Sequence, residues 1–231
     1  MKLIHLLFIG ILFIGNSQTS DEKPNTPQQN TDLEAVTIGT QVWMLKNLDV
    51  TTYRNGDTIP QVTNPIQWTQ RTSGAWCYMN DDPAMAAIYG KLYNWYAVND
   101  PRGLAPTGWH VPTDDDWKTL EMSLNMMQSQ ADVTGWRGTD EGGKLKETGT
   151  LHWNAPNTGA TNSSGFVALP GGYRYDFYAS FGYVRSVGFW WSSTEYSATS
   201  AWGRNLSCSC ASVSRTDYRK PTGFSVRCLK D

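Results

Sequence analysis

Cysteine, histidine and aspartate are the residues of this chain with chemistry to offer, and their spacing limits what that chemistry is. A hydrolytic nucleophile needs a histidine base beside it. Of three histidines, only His110 and His152 lie beyond the apolar N-terminal run. His110 stands in Trp-His-Val-Pro ahead of an expected helix and reads as a structural residue beside Trp109. His152 sits in an expected loop beside Trp153, with nothing in the sequence to pair with it. Two histidines also fall short of the usual zinc ligand sets. Asp81, Asp82 and Asp114 to Asp116 are oxygen ligands of the kind calcium takes, but helix capping and solvation are the favoured account of them. The expectation is a chain with no catalytic residue, no metal site and no cofactor.

The thiols are Cys77, Cys208, Cys210 and Cys228, which allow three pairings. Cys208 and Cys210, two apart on an expected strand, would point to one face with Cα atoms roughly 6.5–7 Å apart, at the edge of what a disulfide tolerates. A Cys77–Cys228 bond would close most of the domain into one loop and stabilise it by about 4–5 kcal/mol on the chain-entropy argument. That pair is the expected disulfide.

The elements that must position these residues follow from pattern. Lys2, the apolar run Leu3 to Ile14, and small residues Gly15 and Ser17 read as a secretory signal peptide over residues 1–17, cut near Ser17. Residues 18–32, polar with Pro24 and Pro27, read as a disordered tether. Residues 33–231 remain for one domain. No later segment is apolar enough to span a membrane, and a net charge of -2 argues against nucleic acid. The chain is therefore expected to be secreted or held at the cell surface.

Within the domain, Val36 to Met44 reads as a hairpin turning at Gly39-Thr40. Ala75 to Tyr78 reads as a short strand. Ile88, Leu92, Trp95 and Tyr96 fall on one face of a helix opened by Asp82-Pro83. Thr113 caps a second helix, with Asp116 closing a capping box and a buried stripe of Trp117, Leu120, Leu124 and Met127. Gly135 to Ser164 reads as long loops around a short strand. Phe166 to Pro170 reads as a buried strand, and Tyr173 to Arg185 as a Tyr-rich hairpin. Phe189 to Trp191 is an aromatic core block. Phe224, Val226 and Cys228 alternate with Ser225 and Arg227 as a half-buried strand. Helices early and strands late make the expected fold α+β.

Between those last two segments the chain changes character. From Tyr196 to Thr222 it is Ser, Thr, Ala, Cys, Arg and Gly around fixed apolar points at Trp202, Leu206 and Val213. A changeable polar surface on a rigid frame is the expectation. Its recognition residues are Tyr196, Ser197, Ala198, Ser200, Gly203, Ser207, Ser209, Ser212, Ser214, Thr216, Asp217, Tyr218 and Arg219. Tyr and Arg would anchor a ligand and Ser and Gly would adapt to it, above a scaffold of Trp190, Trp191, Trp202 and Phe224. Alanine at Tyr218 and Arg219 is expected to abolish binding without lowering the melting temperature.

The ordered segments Ile88-Tyr-Gly-Lys-Leu-Tyr-Asn-Trp-Tyr-Ala97, Gly108-Trp-His-Val-Pro-Thr113, Leu169-Pro-Gly-Gly-Tyr-Arg174, Gly188-Phe-Trp-Trp-Ser-Ser193 and Gly223-Phe-Ser-Val-Arg-Cys228 resemble the Fibrobacter succinogenes major paralogous domain, common in exported proteins of Bacteroidetes. The resemblance covers about Leu33 to Asp231. It implies a C-type-lectin-like fold, two helices packed on short, mostly antiparallel sheets with long ordered loops, distantly similar to formylglycine-generating enzymes. Those enzymes space their redox cysteines more widely than Cys208 and Cys210, so their oxidase activity does not carry over. The Glu-Pro-Asn and Trp-Asn-Asp triplets of calcium-dependent lectins are absent, with Trp191-Ser-Ser near the place of the second. Domains of this kind also resemble the variable proteins of diversity-generating retroelements, in which randomised adenines turn AAC codons into NNC. Between Tyr196 and Thr222 only Trp202 and Lys220 lie outside the residues NNC encodes.

The functional expectation is an exported surface ligand-binding protein, adhesin or receptor-like, whose partner is an unidentified protein or glycan at the cell surface. The alternatives are a fixed-specificity glycan-binding module using Trp136, Trp153 and Tyr178, or a structural subunit of a surface appendage.

Overall fold

Short strands and short helices make up the chain, as frequent turns and a high aromatic content suggest. A computed structural model describes residues 33–231; the expected leader (1–17) and tether (18–32) lie outside the described residues. In order, the elements are β1 (Ala35–Ile38), β2 (Gln41–Met44), α1 (Pro65–Thr69), β3 (Trp76–Cys77), α2 (Ala86–Tyr89), β4 (Leu92–Tyr93), α3 (Trp95–Val98), β5 (Trp109–His110), α4 (Asp114–Ser123), α5 (Gln128–Ala131), β6 (Gly135–Arg137), α6 (Glu141–Leu145), β7 (Tyr173–Arg174), β8 (Phe181–Gly182), β9 (Val187–Glu195), β10 (Ser200–Ser207), β11 (Val213–Arg219) and β12 (Leu229–Lys230). The class is mixed α+β. One sheet has the order β1-β2-β12-β5 and another β6-β11-β10-β9; β3 with β4 and β7 with β8 form two-stranded ribbons. No helix among the described residues is long and apolar enough to cross a membrane.

Local signals are met where they are strongest. β1 and β2 pair antiparallel with Ile38 opposite Gln41, so Gly39-Thr40 is the turn, and Gly39 takes φ 61°. Thr113 Oγ1 accepts from the Asp116 amide at 3.1 Å while the Asp116 carboxylate accepts from the Thr113 amide at 2.8 Å, a complete capping box at the start of α4. The β7–β8 hairpin and the short strand at Cys77 also form.

The expected helix through Ile88, Leu92, Trp95 and Tyr96 is broken. α2 stops at Gly90, whose φ of 70° leaves the helical region. A Cβ there would lie 2.8 Å from the Leu48 carbonyl. Leu92 instead joins β4, where the Tyr93 amide donates to Phe224 O at 2.8 Å, and Asn94 caps the separate α3. A Gly90→Ala variant is expected to lose about 1–3 kcal/mol, read as a lowered urea midpoint at unchanged m-value. The expected stripe of α4 ends early too. Leu124 is the C-cap and Asn125 turns left-handed at φ 84°, so Met127 points to solvent and Met126 fills the core.

Two further departures shape the interior. The segment at Phe166 is no sheet strand: Val167 is left-handed and only an isolated bridge joins Ala168 to Lys146. The segment from Phe224 to Cys228 is buried on both sides, with Ser225 and Arg227 each 1% exposed. The Arg227 guanidinium, held to the carbonyls of Met44 and Phe166 at 3.0 and 2.8 Å and to Asn47 Oδ1 at 3.0 Å, stacks on the Phe166 ring. Burial pushes its pKa down, and these acceptors replace water around the charge. Trp190 donates to the same Asn47 oxygen at 2.9 Å, so Asn47 ties β9 to the terminal segment.

Candidate functional site

Strand alternation gives the β6-β11-β10-β9 sheet two different faces. Arg204 pairs across to Arg215, and Val213 to Arg137. These side chains, with Leu206, look toward α4. There Arg204 donates to Asp114 Oδ1 and Glu121 Oε1, each at 2.7 Å, and Arg215 donates to Asp114 Oδ2 at 2.7 Å. Arg137 completes the cluster on Glu121. Burial pushes the Asp114 carboxyl up, but the two guanidinium groups outweigh it and hold the pKa at about 2. Trp202 covers the network, with the Arg215 guanidinium 3.6 Å from its ring centroid and Tyr196 edge-on at 4.8 Å. Asp114, a possible calcium ligand by type, is thus committed to arginines, and Asp116 to its capping box. Among the described residues no group of three or more His, Cys, Asp or Glu side chains is placed to hold a metal ion.

The stretch expected to recognise a ligand is divided by this geometry. Tyr196, Ser197, Ala198, Ser209 and Arg219 are exposed; Ser212, Thr216, Asp217 and Tyr218 are half-buried. Ser200, Gly203, Ser207 and Ser214 are buried, because the sheet is covered on both sides. Gly203 lies under the Tyr218 ring, where a Cβ would come within 3.0 Å of its Cδ2. Tyr218 itself packs edge-on against Phe224 at 4.8 Å and Phe189 at 6.0 Å. Burial pushes its phenol to about 12 despite the hydrogen bond from Asn205. It belongs to the margin of the core, so the expectation that it can be removed at no cost in stability does not hold.

Beside Tyr218 lies a surface the sequence reading largely missed. On the β7–β8 hairpin and just after it, Phe177 is 60% exposed, Tyr178 71% and Tyr183 57%, with Tyr175 also outside. The rings brace one another: Phe177 and Tyr178 meet edge-on at 4.9 Å, Tyr175 and Tyr178 at 6.1 Å. Tyr173, in turn, packs on Tyr183 at 5.5 Å and on Phe189 at 5.2 Å, which joins the hairpin to the core. The base is rigid. Arg174, fully buried, donates to the carbonyls of Thr63 at 2.7 Å and Ala179 at 3.3 Å, and lies over the Trp68 ring. Asp176, buried, pairs with the exposed Arg219 at 3.2 Å. Ala179 and Tyr183 both adopt left-handed backbone, at φ 51° and 60°, a conformation non-glycine residues hold only where the surroundings impose it. The density of Tyr and Phe from Tyr173 to Tyr183 is the signal the sequence holds for this surface. Trp136, on the neighbouring edge strand, is half out, whereas Trp153 is 0% exposed and donates to Ala168 O, which removes it from any binding surface.

A family model, the Fibrobacter succinogenes major domain, matches residues 36–230. The chain belongs to this family. No curated protein and no solved structure gives a significant match. In this Fibrobacter succinogenes major domain three of the segments that carried the resemblance, Ile88–Ala97, Gly188–Ser193 and Gly223–Cys228, meet inside the core. Trp191 of the Gly188–Ser193 segment donates to Tyr93 O at 2.9 Å, and Phe224 stacks on Phe189 at 4.9 Å.

The thiols of the domain differ from expectation. Cys77 and Cys228 are both buried and free, in separate hydrophobic clusters, so the expected disulfide is absent. Burial pushes each thiol to about 12, which leaves no thiolate to react. Cys208 and Cys210 are also free but half-buried, in the loop after β10 rather than on a strand. The buried Lys146 ammonium fixes that loop by donating to the carbonyls of Ser207 and Cys210, each at 2.8 Å, and Thr158 at 2.9 Å. A thiol reagent is therefore expected to label Cys208 and Cys210 in the native chain and all four cysteines after unfolding, as peptide mapping would read. His152 also has a partner after all, Glu147, at 2.9 Å. His110 meets Asp231 at 2.8 Å.

Proposed function

We propose that this domain is an exported, surface-held ligand-binding module of adhesin or receptor type, built on a C-type-lectin-like scaffold and without enzymatic activity. The observation that carries this reading is the braced aromatic hairpin at Tyr175, Phe177, Tyr178 and Tyr183, continuous with Tyr218 and Arg219 of β11. Monomeric proteins rarely present several large rings together unless something binds them, and exposed Tyr with a neighbouring Arg is the composition of binding hot spots. The proposed contact calls for no calcium: the Asp176 carboxylate of the hairpin is taken up by Arg219.

The test is a screen of the intact chain against glycan and extracellular-protein arrays, beside a Phe177→Ala/Tyr178→Ala/Tyr183→Ala variant. Binding by the native chain that the variant loses supports the reading. No binding, or equal binding, removes it.

A diversified recognition surface is a second reading, favoured by the division of the Tyr196–Thr222 stretch into inward and outward positions. Arg204, Leu206, Val213 and Arg215 face α4, while Tyr196 to Ala198, Ser209 and Arg219 stand outside. Sequencing the gene across a population of the source organism would show substitutions at the outward positions only. Uniform invariance of the stretch would end this version and leave a surface of fixed specificity.

A further inference from the structure

The aromatic hairpin has a chemistry that narrows the class of ligand. Its rings at Phe177, Tyr178 and Tyr183 are each more than half exposed. Centroid steps of 4.9–6.1 Å between neighbouring rings are comparable to the length of one hexose unit. At the platform the exposed Arg219 and the buried Asp176 are paired with each other at 3.2 Å, so neither stands free to match an anionic or cationic partner. Hydrogen-bonding groups border the rings: the phenols of the exposed tyrosines themselves and the Arg219 guanidinium, which reaches Asp176 of the hairpin. Apolar faces bordered by neutral and self-cancelling polar groups complement a molecule with C–H groups on its faces and hydroxyls around its rim. A pyranose of gluco or manno configuration has that distribution.

A protein hot spot would use similar side chains but would bury them in a complementary pocket. A flat crystalline polysaccharide would need coplanar rings, and these are tilted, by 40° between Tyr175 and Tyr178 and 82° between Phe177 and Tyr178. Non-coplanar rings suit a single twisted chain, one sugar per ring. We infer that the Tyr175–Tyr183 hairpin binds a neutral polysaccharide chain by stacking, independently of divalent cations. This rests on the ligand-binding reading above and names the ligand class of the same site.

The experiment is calorimetric titration of the intact chain with cellohexaose, laminarihexaose and mannohexaose, repeated in excess chelator, with polygalacturonate as an anionic control. Binding of at least one neutral hexamer is expected, unchanged by chelator and weakened at least about 10-fold by Tyr178→Ala, a single stacking contact being worth roughly 1–3 kcal/mol. The melting temperature of the variant should match the native chain, and Trp136→Ala should leave affinity unchanged. Binding that chelator abolishes, or that only polygalacturonate shows, overturns the inference. So does hexamer binding indifferent to Tyr178→Ala. Failure of all glycans, with array binding to a protein that Tyr178→Ala removes, overturns the ligand class and leaves the ligand-binding reading intact. Failure of glycans and proteins alike ends both.

Discussion

Asp114→Ala is expected to destabilise the domain by about 3–5 kcal/mol, enough to unfold a marginal protein at ordinary temperature. The carboxylate is the shared partner of two buried arginines, Arg204 and Arg215, at 2.7 Å each. Without it both guanidinium groups stay in the interior with less of their charge compensated, and Glu121 alone cannot serve Arg137, Arg204 and Arg215 together. Asp115→Ala one residue away, with its side chain in solvent, should change stability by no more than ~0.5 kcal/mol. The same pair of arginines sets an acid limit. The folded pKa of Asp114, at about 2, lies below the ordinary aspartate value. Its stabilising effect is therefore complete above pH ~4 and lost as pH falls from there toward 2, a change of about 2 kcal/mol. Urea midpoints across that range would show the loss in the native chain and its absence in Asp114→Asn. A native-like midpoint for Asp114→Ala at neutral pH would mean the network is not holding α4 to the sheet.

The second large effect separates recognition from folding. Alanine at Phe177 and Tyr178 together should reduce ligand affinity at least 100-fold, the scale of a hot spot of about 2–4 kcal/mol, while shifting stability by less than ~1 kcal/mol, since both rings are mostly in solvent already. Tyr218→Ala differs in that it should lower stability. It removes a ring packed on Phe189, Trp191 and Phe224 and is expected to cost about 2–4 kcal/mol. Thermal melts and binding measured on the same preparations give both readings. Equal loss of stability in the two variants would place Phe177 and Tyr178 in the core and end their assignment as a surface.

Much of the architecture was legible before any coordinates. The capping box at Thr113 and Asp116, the Gly39-Thr40 turn, the Tyr-rich hairpin and the aromatic block at Trp190 all depend on neighbours within a few residues, and pattern reads such neighbours well. The helix through Ile88 and Trp95 misread because its apolar spacing of three and four is satisfied equally by two short helices and a strand that each bury one face. Gly90 was the available sign that the helix stops, and its meaning comes from Leu48, which lies far away in sequence.

Of the site, composition marked the Tyr196–Thr222 stretch as unusual but could not say which side of the sheet each residue occupies. Arg204 and Arg215 look like surface residues in a Ser-rich strand, and their partners on α4 are 83 to 101 positions away. The cysteines carry the same lesson. Loop length favoured Cys77 with Cys228, yet a disulfide is decided by the distance between two Cβ atoms, and packing put these two in different clusters.

What the amino-acid sequence by itself determined was the family, the α+β class and the local turns and caps. Only the tertiary structure decided which tryptophans are core, which arginines are buried, which thiols are free and which aromatic rings face solvent. The physical reason is range. Caps, turns and periodicity are energies between residues close along the chain, whereas burial and charge pairing are energies between residues the chain must first bring together.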